Sequence, residues 1–413
     1  MLITRFKILL HDRIYYYRVL PFLSLVWERF EKPIYLRQKQ KIKKYSERTG
    51  TRAVHLFLVH GRGGGVDKHV EDVASKLEAQ GTETWVLHFQ LFARKFVLTR
   101  GPQAGIGQRQ IFLFPLQYAE MVVTLQSLGF AKLHIHHTGY LPYYFLQDLQ
   151  EFAGILGIPY DYVMHDFIAL CPRVHLVDGN FRYCGMPKDV NLCNACVKKN
   201  GFLTIAPYDV GQWRSLYHQL LQNAAGRMAP SYDTAQRHQQ ILGDMPVHVV
   251  LHDNPVIRQK HLSPKAEGQP YTIAVVGRIH RHKGADVVLA CAQDALKRDL
   301  PLHFMIIGDS IYGRDLAKLG AEVTGVYREE ELPLLLQQSG CSLVFLPSVW
   351  PETFSYTLSH VWENEYFPVV FDIGAPAERI RAANNGMILP LTLTEFPAAV
   401  NDALLKAAKA QHQ

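Results

Sequence analysis

From residue 53 onward the chain repeats a single pattern: an apolar run, a turn, an amphipathic stretch and another apolar run. Ala53–His60 (AVHLFLVH) reads as a buried strand, followed by the turn Gly61–Gly65 (GRGGG). Val66–Gln80 carries helical spacing through Val70, Val73, Ala74 and Leu77, and Gly81 ends it. Then come a strand at Thr84–Phe89, a helix near Leu116–Leu128, a strand at Leu133–His137, a helix at Tyr144–Leu156 and a strand at Tyr160–His165. Parallel strands need a long crossover between them, so this alternation points to a parallel sheet with helices on both faces.

A second series starts after the turn-rich stretch His252–Pro270. Its expected strands are Tyr271–Val276, Leu302–Ile307, Ser342–Leu346 and Val369–Phe371. Its helices are Ala285–Lys297, Glu329–Gln338, one opening at Tyr356 and an Ala- and Leu-rich one over Thr394–Ala410. A length of 413 residues suits two such domains. The expected fold is therefore α/β, with two Rossmann-like doubly wound domains facing a cleft and a basic, aromatic helical arm in front. The divisions are an arm 1–50, a first domain 51–255 with a cysteine-rich insertion at 168–205, a second domain 256–392 and a terminal helix 393–413. Ligands of such sheets bind beyond the carboxyl ends of the strands.

Charge is concentrated in the arm: residues 1–50 hold twelve Lys and Arg against four Asp and Glu, a net of +8, while the whole chain is +7. The remainder is thus near neutral at 7 − 8 = −1, which argues against nucleic-acid binding by the body. Within the arm, Ile14–Leu20, Phe22, Leu23, Leu25, Val26, Trp27 and Phe30 precede Arg37, Lys39, Lys41, Lys43 and Lys44. Such a segment suits an anionic membrane surface; a helix packed on the body and a connector to a preceding domain are the other readings. The apolar stretch Val19–Trp27 contains Pro21 and Ser24 and falls well short of the roughly 20 residues that a spanning helix needs. No secretory leader is recognisable and six cysteines make no disulfide framework, so a cytoplasmic, reducing compartment is expected, with peripheral attachment to the inner membrane face.

The segment Gly277-Arg278-Ile279-His280-Arg281-His282-Lys283-Gly284 places Arg278 and Lys283 in the loop after a buried strand and before a helix. An Arg fork and a Lys point charge beside a helix N-terminus suit a diphosphate; a solvated basic loop is the bland reading. Pro351-Glu352-Thr353-Phe354-Ser355-Tyr356-Thr357-Leu358-Ser359-His360 also follows a strand and opens a helix. Together the two segments resemble the donor site of retaining glycosyltransferases of family 4, which have the GT-B fold, use a G-R-x4-K-G loop on the diphosphate and carry an E-x7-E segment. The resemblance extends through Phe371–Arg379. It implies a nucleotide-diphosphate sugar donor, with Gly277, Arg278 and Lys283 at the diphosphate and Glu352 at the sugar. It also puts the backbone of Ser355, Tyr356 and Thr357 at the phosphates. Where the family has its second Glu, at the nucleotide ribose, this chain has His360. A neutral imidazole offers one acceptor and one donor, where a carboxylate accepts from both vicinal hydroxyls.

Gly63-Gly64-Gly65 lets a backbone approach a ligand closely, and its sequence resembles the family's turn near the donor phosphates and acceptor. A plain strand-to-helix turn is the alternative. His165 ends a strand, and the resemblance implies a sugar-positioning or catalytic-support role for it, against a structural one. His134, His136 and His137 read as core and edge packing, since the first two share one face of a short strand and the third opposes them. In a front-face reaction the departing phosphate accepts the acceptor proton, so the protein's task is to stabilise charge on the leaving group. No Asp-x-Asp motif is present, and no catalytic metal is expected.

Cys171, Cys184, Cys193 and Cys196 fall close together, the last pair with C-x2-C spacing. A closed structural zinc site is one reading; unliganded thiols, disulfides or an iron–sulfur cluster are the others. The function expected from all this is transfer of a sugar, with retention, to a hydroxyl of a glycan or lipid-linked acceptor, as in building cell-surface polysaccharide. A degenerate GT-B protein that binds a glycan or scaffolds a partner is the reading of a different class, and sugar-nucleotide epimerisation is a second enzymatic one.

Overall fold

Strand β1 (Val54–Val59) is buried along nearly its whole length, because it lies between two parallel neighbours and under helices on both faces. The computed structural model describes residues 20–42, 53–60, 64–101, 109–201, 209–258, 260, 262–266 and 268–413. The chain divides into two units. The first holds residues 1–174, 186–230 and 235–250, and the second holds 175–185, 231–234 and 251–413.

Among the described residues the first unit is built on eight strands: β1, β2 (Glu83–Gln90), β3 (Lys95–Arg100), β4 (Arg109–Leu113), β5 (Lys132–Ile135), β6 (Tyr160–Val163), β7 (Gly226–Ala229) and β8 (His248–Val249). Their order is β4-β3-β2-β1-β5-β6-β7-β8. The body is parallel, with Val54 opposite Glu83 and His55 opposite Lys132. Strands β3 and β4 add an antiparallel edge that periodicity had not marked. The stretch expected as one helix over 144–156 is two, Tyr143–Gln147 and Leu149–Leu156, meeting at Asp148. The Asp148 carboxylate accepts from the Tyr35 hydroxyl at 3.1 Å and from Lys39 at 2.8 Å.

Those two partners belong to the arm. Its described part is the helix Leu20–Lys39, interrupted in sequence but not in course by Pro33. Tyr35 is 1% exposed among Phe114, Tyr118, Tyr144 and Phe145, with ring centroids 4.7–6.2 Å away. Glu31 pairs with Arg94 and accepts from the Tyr144 hydroxyl at 2.9 Å, while Arg94 lies 4.5 Å over the Trp27 ring. The packed-helix reading of the arm therefore holds over residues 26–39. Lys39 is committed to Asp148 and Glu151, whereas Arg29, Phe30, Leu36, Arg37 and Lys41 face outward. Ile14–Val19, Lys43 and Lys44 lie outside the described residues. Among the described residues no helix is long and apolar enough to cross a membrane.

The second unit is a six-stranded, wholly parallel sheet. Its strands are β9 (Tyr271–Ile279), β10 (Leu302–Ser310), β11 (Glu322–Val323), β12 (Leu343–Leu346), β13 (Pro368–Phe371) and β14 (Met387–Leu389), in the order β11-β10-β9-β12-β13-β14. The expected helix 329–338 begins as a short 3-10 turn at Glu329–Glu331 and becomes α-helical at Leu332–Ser339, with Pro333 in its first turn, where proline costs no hydrogen bond. The final helix, Pro397–Ala410, is part of this unit. Val400, Leu404, Ala407 and Ala408 enter its core, and Asn401 donates to the Cys291 carbonyl at 2.8 Å and to Asp294 at 2.9 Å.

Candidate active site

The carboxyl ends of β9 and β12 sit side by side in the second unit, and the loops they feed carry the residues singled out above. Strand β9 runs through Gly277 and Arg278 to Ile279. Gly277 pairs with Gly308 of β10, and a Cβ on Gly308 would lie 2.1 Å from the Gly277 carbonyl oxygen, so the strands touch through bare backbone. Beyond His280, a 3-10 turn (Arg281–Lys283) delivers Gly284, at φ 85°, into the start of the helix Ala285–Lys297. A Cβ there would meet the Pro347 carbonyl oxygen at 2.0 Å. The Val349 amide donates to the His282 carbonyl at 3.1 Å. The two loops are thereby stitched together by main chain, and side chains on them are held in fixed proximity.

This stitching brings Lys283 Nζ to 2.7 Å from Glu352 Oε1, and the Ser348 hydroxyl donates to the same oxygen. Glu352 is buried; Lys283 remains about one-third exposed. Arg278 is exposed, and among the described residues its guanidinium pairs with nothing. His282 packs face to face with His175 at 4.1 Å between centroids and edge-on to Trp350 at 6.0 Å. Burial, reinforced by His175, Lys283 and His280, pushes its pKa well below the ordinary value. Arg281 turns away to Asp286 at 2.8 Å and lies over Phe181 at 4.3 Å.

Residues 353–360 form the other wall. Ser355 caps the helix Tyr356–Glu363, its hydroxyl accepting from the Leu358 amide at 3.3 Å. The amides of Tyr356 and Thr357 thus belong to a helix N-terminus, where positive dipole ends gather. Gly374, at φ 68°, opens the helix Gly374–Ala383 directly against this loop. A Cβ there would fall 2.7 Å from the Glu352 amide nitrogen, and Ala375 N–H donates to the Glu352 carbonyl at 2.8 Å. Sequence reasoning passed over Arg379, named only within a longer stretch. Its buried guanidinium donates to the Ser355 carbonyl at 2.8 Å, to the Ser359 hydroxyl at 2.8 Å and to Asp253 at 3.1 Å. It also lies 4.2 Å over Phe354. No spacing rule connects an Arg on one helix to the cap of another. His360 lies in the same helix with Nδ1 2.9 Å from Glu363 and Nε2 3.1 Å from Glu329. Two carboxylates therefore flank the imidazole that stands in the expected position of a Glu.

In the first unit, Gly64 takes φ 87° and caps the helix Gly65–Ala79. Nothing lies within 4 Å of where its Cβ would be, so the positive φ, and no close neighbour, is what demands glycine there. Gly65 is exposed at the same end; Gly63 falls outside the described residues. His165 follows β6, and its Nε2 lies 2.8 Å from His136 Nδ1. The packing reading of His136 accounts for its burial and leaves this pairing out. His69, one turn into the helix Gly65–Ala79, stands 5.1 Å from His165 between ring centroids, and burial pushes its pKa down to about 4. His134 bonds His55 at 2.9 Å and stacks on Phe57, as a core histidine does. His137 takes Asp166 at 3.0 Å and accepts from the Gly139 amide.

The cysteine set is divided. Cys184 belongs to the second unit, and Cys171, Cys193 and Cys196 to the first. Cys193 accepts from Arg214 at 3.3 Å and donates to the Pro187 carbonyl, and Cys196 accepts from Asn200. Among the described residues the three thiols of the first unit do not gather as a ligand group; the three histidines 69, 136 and 165 do.

Residues 256–413 match the family model for glycosyl transferases group 1. No curated protein matches the chain. Among solved structures, the lipopolysaccharide outer core galactosyltransferase WaaB aligns over 87% of this chain and 91% of its own, at 11% identity and TM-score 0.52. A glycosyltransferase from Rickettsia africae aligns over 88% and 92%, at 12% and 0.51. Anabaena HepE in complex with UDP-glucose aligns over 87% and 93%, at 16% and 0.50. These likenesses establish fold. The chain has two Rossmann-like α/β domains, the fold of GT-B glycosyltransferases, and its residues 256–413 are similar to glycosyl transferases group 1.

Proposed function

We propose that this protein transfers a sugar, with retention of configuration, from a nucleotide-diphosphate donor to a hydroxyl of a glycan or lipid-linked acceptor. The observation that carries the reading is the convergence of Lys283 and Ser348 on Glu352, with Arg278, unpaired among the described residues, at the end of β9 that feeds the Lys283 loop. Arg278 and Lys283 are the cations for the diphosphate. Glu352, held by Ser348 through one oxygen, keeps its other oxygen to accept from sugar hydroxyls. The helix N-terminus at Ser355–Thr357 adds backbone donors for phosphate oxygens. In the reaction the acceptor oxygen bonds to the anomeric carbon, and the bond from that carbon to the leaving phosphate oxygen breaks. The departing diphosphate takes the acceptor proton. The cations stabilise the charge that develops on it, and Lys283 is held in place beforehand by Glu352.

Glu329 and Glu363 beside His360 supply the carboxylate acceptors for ribose that position 360 itself lacks. His165, Gly64 and Gly65 are assigned to sugar and donor on the first unit. The outward Arg29, Arg37 and Lys41 favour an acceptor carried at an anionic membrane surface, on its cytoplasmic side, and from there a role in surface polysaccharide synthesis.

The test is a melting-temperature screen of UDP, GDP, ADP and TDP sugars against wild type, Arg278→Ala and Glu352→Ala. HepE was solved with UDP-glucose, so uridine donors come first. A ligand at 100 times its Kd stabilises by about 2.7 kcal/mol, and that gain should vanish in Arg278→Ala. A flat response to every nucleotide overturns the proposal and favours the degenerate, scaffolding reading. Donor turnover without any acceptor would favour epimerisation.

A further inference from the structure

We infer that His69, His136 and His165 form a binding site for one divalent transition-metal ion, zinc by ligand chemistry, within the first unit. One ring nitrogen from each lies within 4.8 Å of the others. A tetrahedral zinc with bonds of about 2.0–2.1 Å holds its nitrogens roughly 3.3 Å apart. His136 and His165 at 2.8 Å would open slightly and His69 would move in, adjustments within the reach of side-chain torsions.

The three residues come from different rigid elements: the first turns of the helix Gly65–Ala79, the end of β5 and the end of β6. Adjacent parallel strands thus aim two imidazoles at one point and a helix brings the third, which is what a preformed ligand set requires. His69 and His136 are 7% and 3% exposed, and Phe57 lies 5.4 Å from the His136 ring, giving an apolar surround that favours neutral nitrogen ligands. His165 is only half-buried, so the fourth coordination position opens toward solvent for water or a ligand oxygen. Three imidazoles without a carboxylate or thiolate suit zinc, cobalt, nickel or copper and exclude magnesium or calcium.

This inference does not depend on the transferase reading. It bears on it at one atom, since His165 Nε2 cannot both bind metal and serve a sugar hydroxyl.

The experiment uses the full chain stripped with a chelator and titrated with Co2+, followed by visible absorption and by competition with Zn2+. The expected result is one equivalent bound with the absorption of tetrahedral cobalt, no thiolate charge-transfer band, and displacement by zinc. X-ray absorption of the zinc-loaded wild type should count three imidazole nitrogens and no sulfur. His136→Asn and His69→Gln, which nearly preserve volume, should each weaken binding by more than the 10–100-fold typical of an outer-shell change. Failure of wild type to bind one equivalent, a sulfur-containing shell that assigns the metal to the cysteines, or unchanged affinity in both variants would each overturn the site.

Discussion

Replacing Arg379 by Ala should destabilise the second unit by about 3 kcal/mol, and the figure follows from which of its three contacts water can repair. Hydrogen bonds to a charged group are worth about 1.5–3 kcal/mol net. Two of the three, to the Ser355 carbonyl and the Ser359 hydroxyl, are buried at 2.8 Å. The third partner, Asp253, is about a quarter exposed and rehydrates when the guanidinium leaves, so its loss costs little. Against the two buried bonds stands the desolvation of the guanidinium, which is why its pKa is lowered despite Asp253; truncation recovers part of that cost. Breaking a buried polar cluster typically costs about 3–5 kcal/mol, and the recovered desolvation places this case at the low end. For a unit of this size each kcal/mol moves the melting temperature by about 2–4 °C, so thermal unfolding by circular dichroism should show a loss of about 6–12 °C. Arg379→Lys keeps the charge but presents one ammonium to acceptors on two sides, and should recover about half. Nucleotide affinity should fall as well, because the Ser355 cap then loses its anchor. An Arg379→Ala protein that melts within about 2 °C of wild type would refute the reasoning.

Gly284→Ala puts a methyl 2.0 Å from the Pro347 oxygen at a positive φ, so we expect a loss of about 1–3 kcal/mol together with weakened nucleotide binding, read by urea unfolding and titration. Tyr35→Ala should cost about 3–5 kcal/mol for a buried aromatic, and limited proteolysis should cut the helix Leu20–Lys39 first. Half-buried, neutral His282 makes stability fall on acidification: its folded pKa lies below the unfolded 6.5, so the unfolded chain binds the proton first. The contribution is complete above about pH 6.5 and is lost below it at up to about 1.4 kcal/mol per pH unit. His282→Gln should flatten the acid limb of stability against pH, and an unchanged slope would show that this histidine titrates normally.

The alternation of apolar runs and amphipathic stretches was legible in the sequence because it is local. A strand buried on both faces must be apolar along its length, and a helix on a sheet must show its period, whatever its neighbours are. Two sheets and the strand-to-helix loops at 277–284 and 351–360 could be read that way, while joining those two loops into one donor site rested on the family resemblance. The antiparallel edge β3-β4 was not, since exposed Arg109, Gln110 and Ile111 leave no alternation there. Nor was the break at Asp148, which answers to Tyr35 and Lys39 more than a hundred residues earlier.

Side-chain meetings across elements were decided only by tertiary structure. His360 read as the loss of a carboxylate, yet the fold sets Glu329 and Glu363 on either side of it. Arg379 was only the last residue of a stretch that carried the resemblance, and the fold buries it under the cap of a neighbouring helix. His136 read as packing and His165 as a strand-end residue for the sugar, while adjacent strands and a helix turn bring both to His69. Residue spacing constrains which side chains share a face of one element, whereas contacts between elements depend on register, crossing and loop closure, which the chain acquires only when it folds.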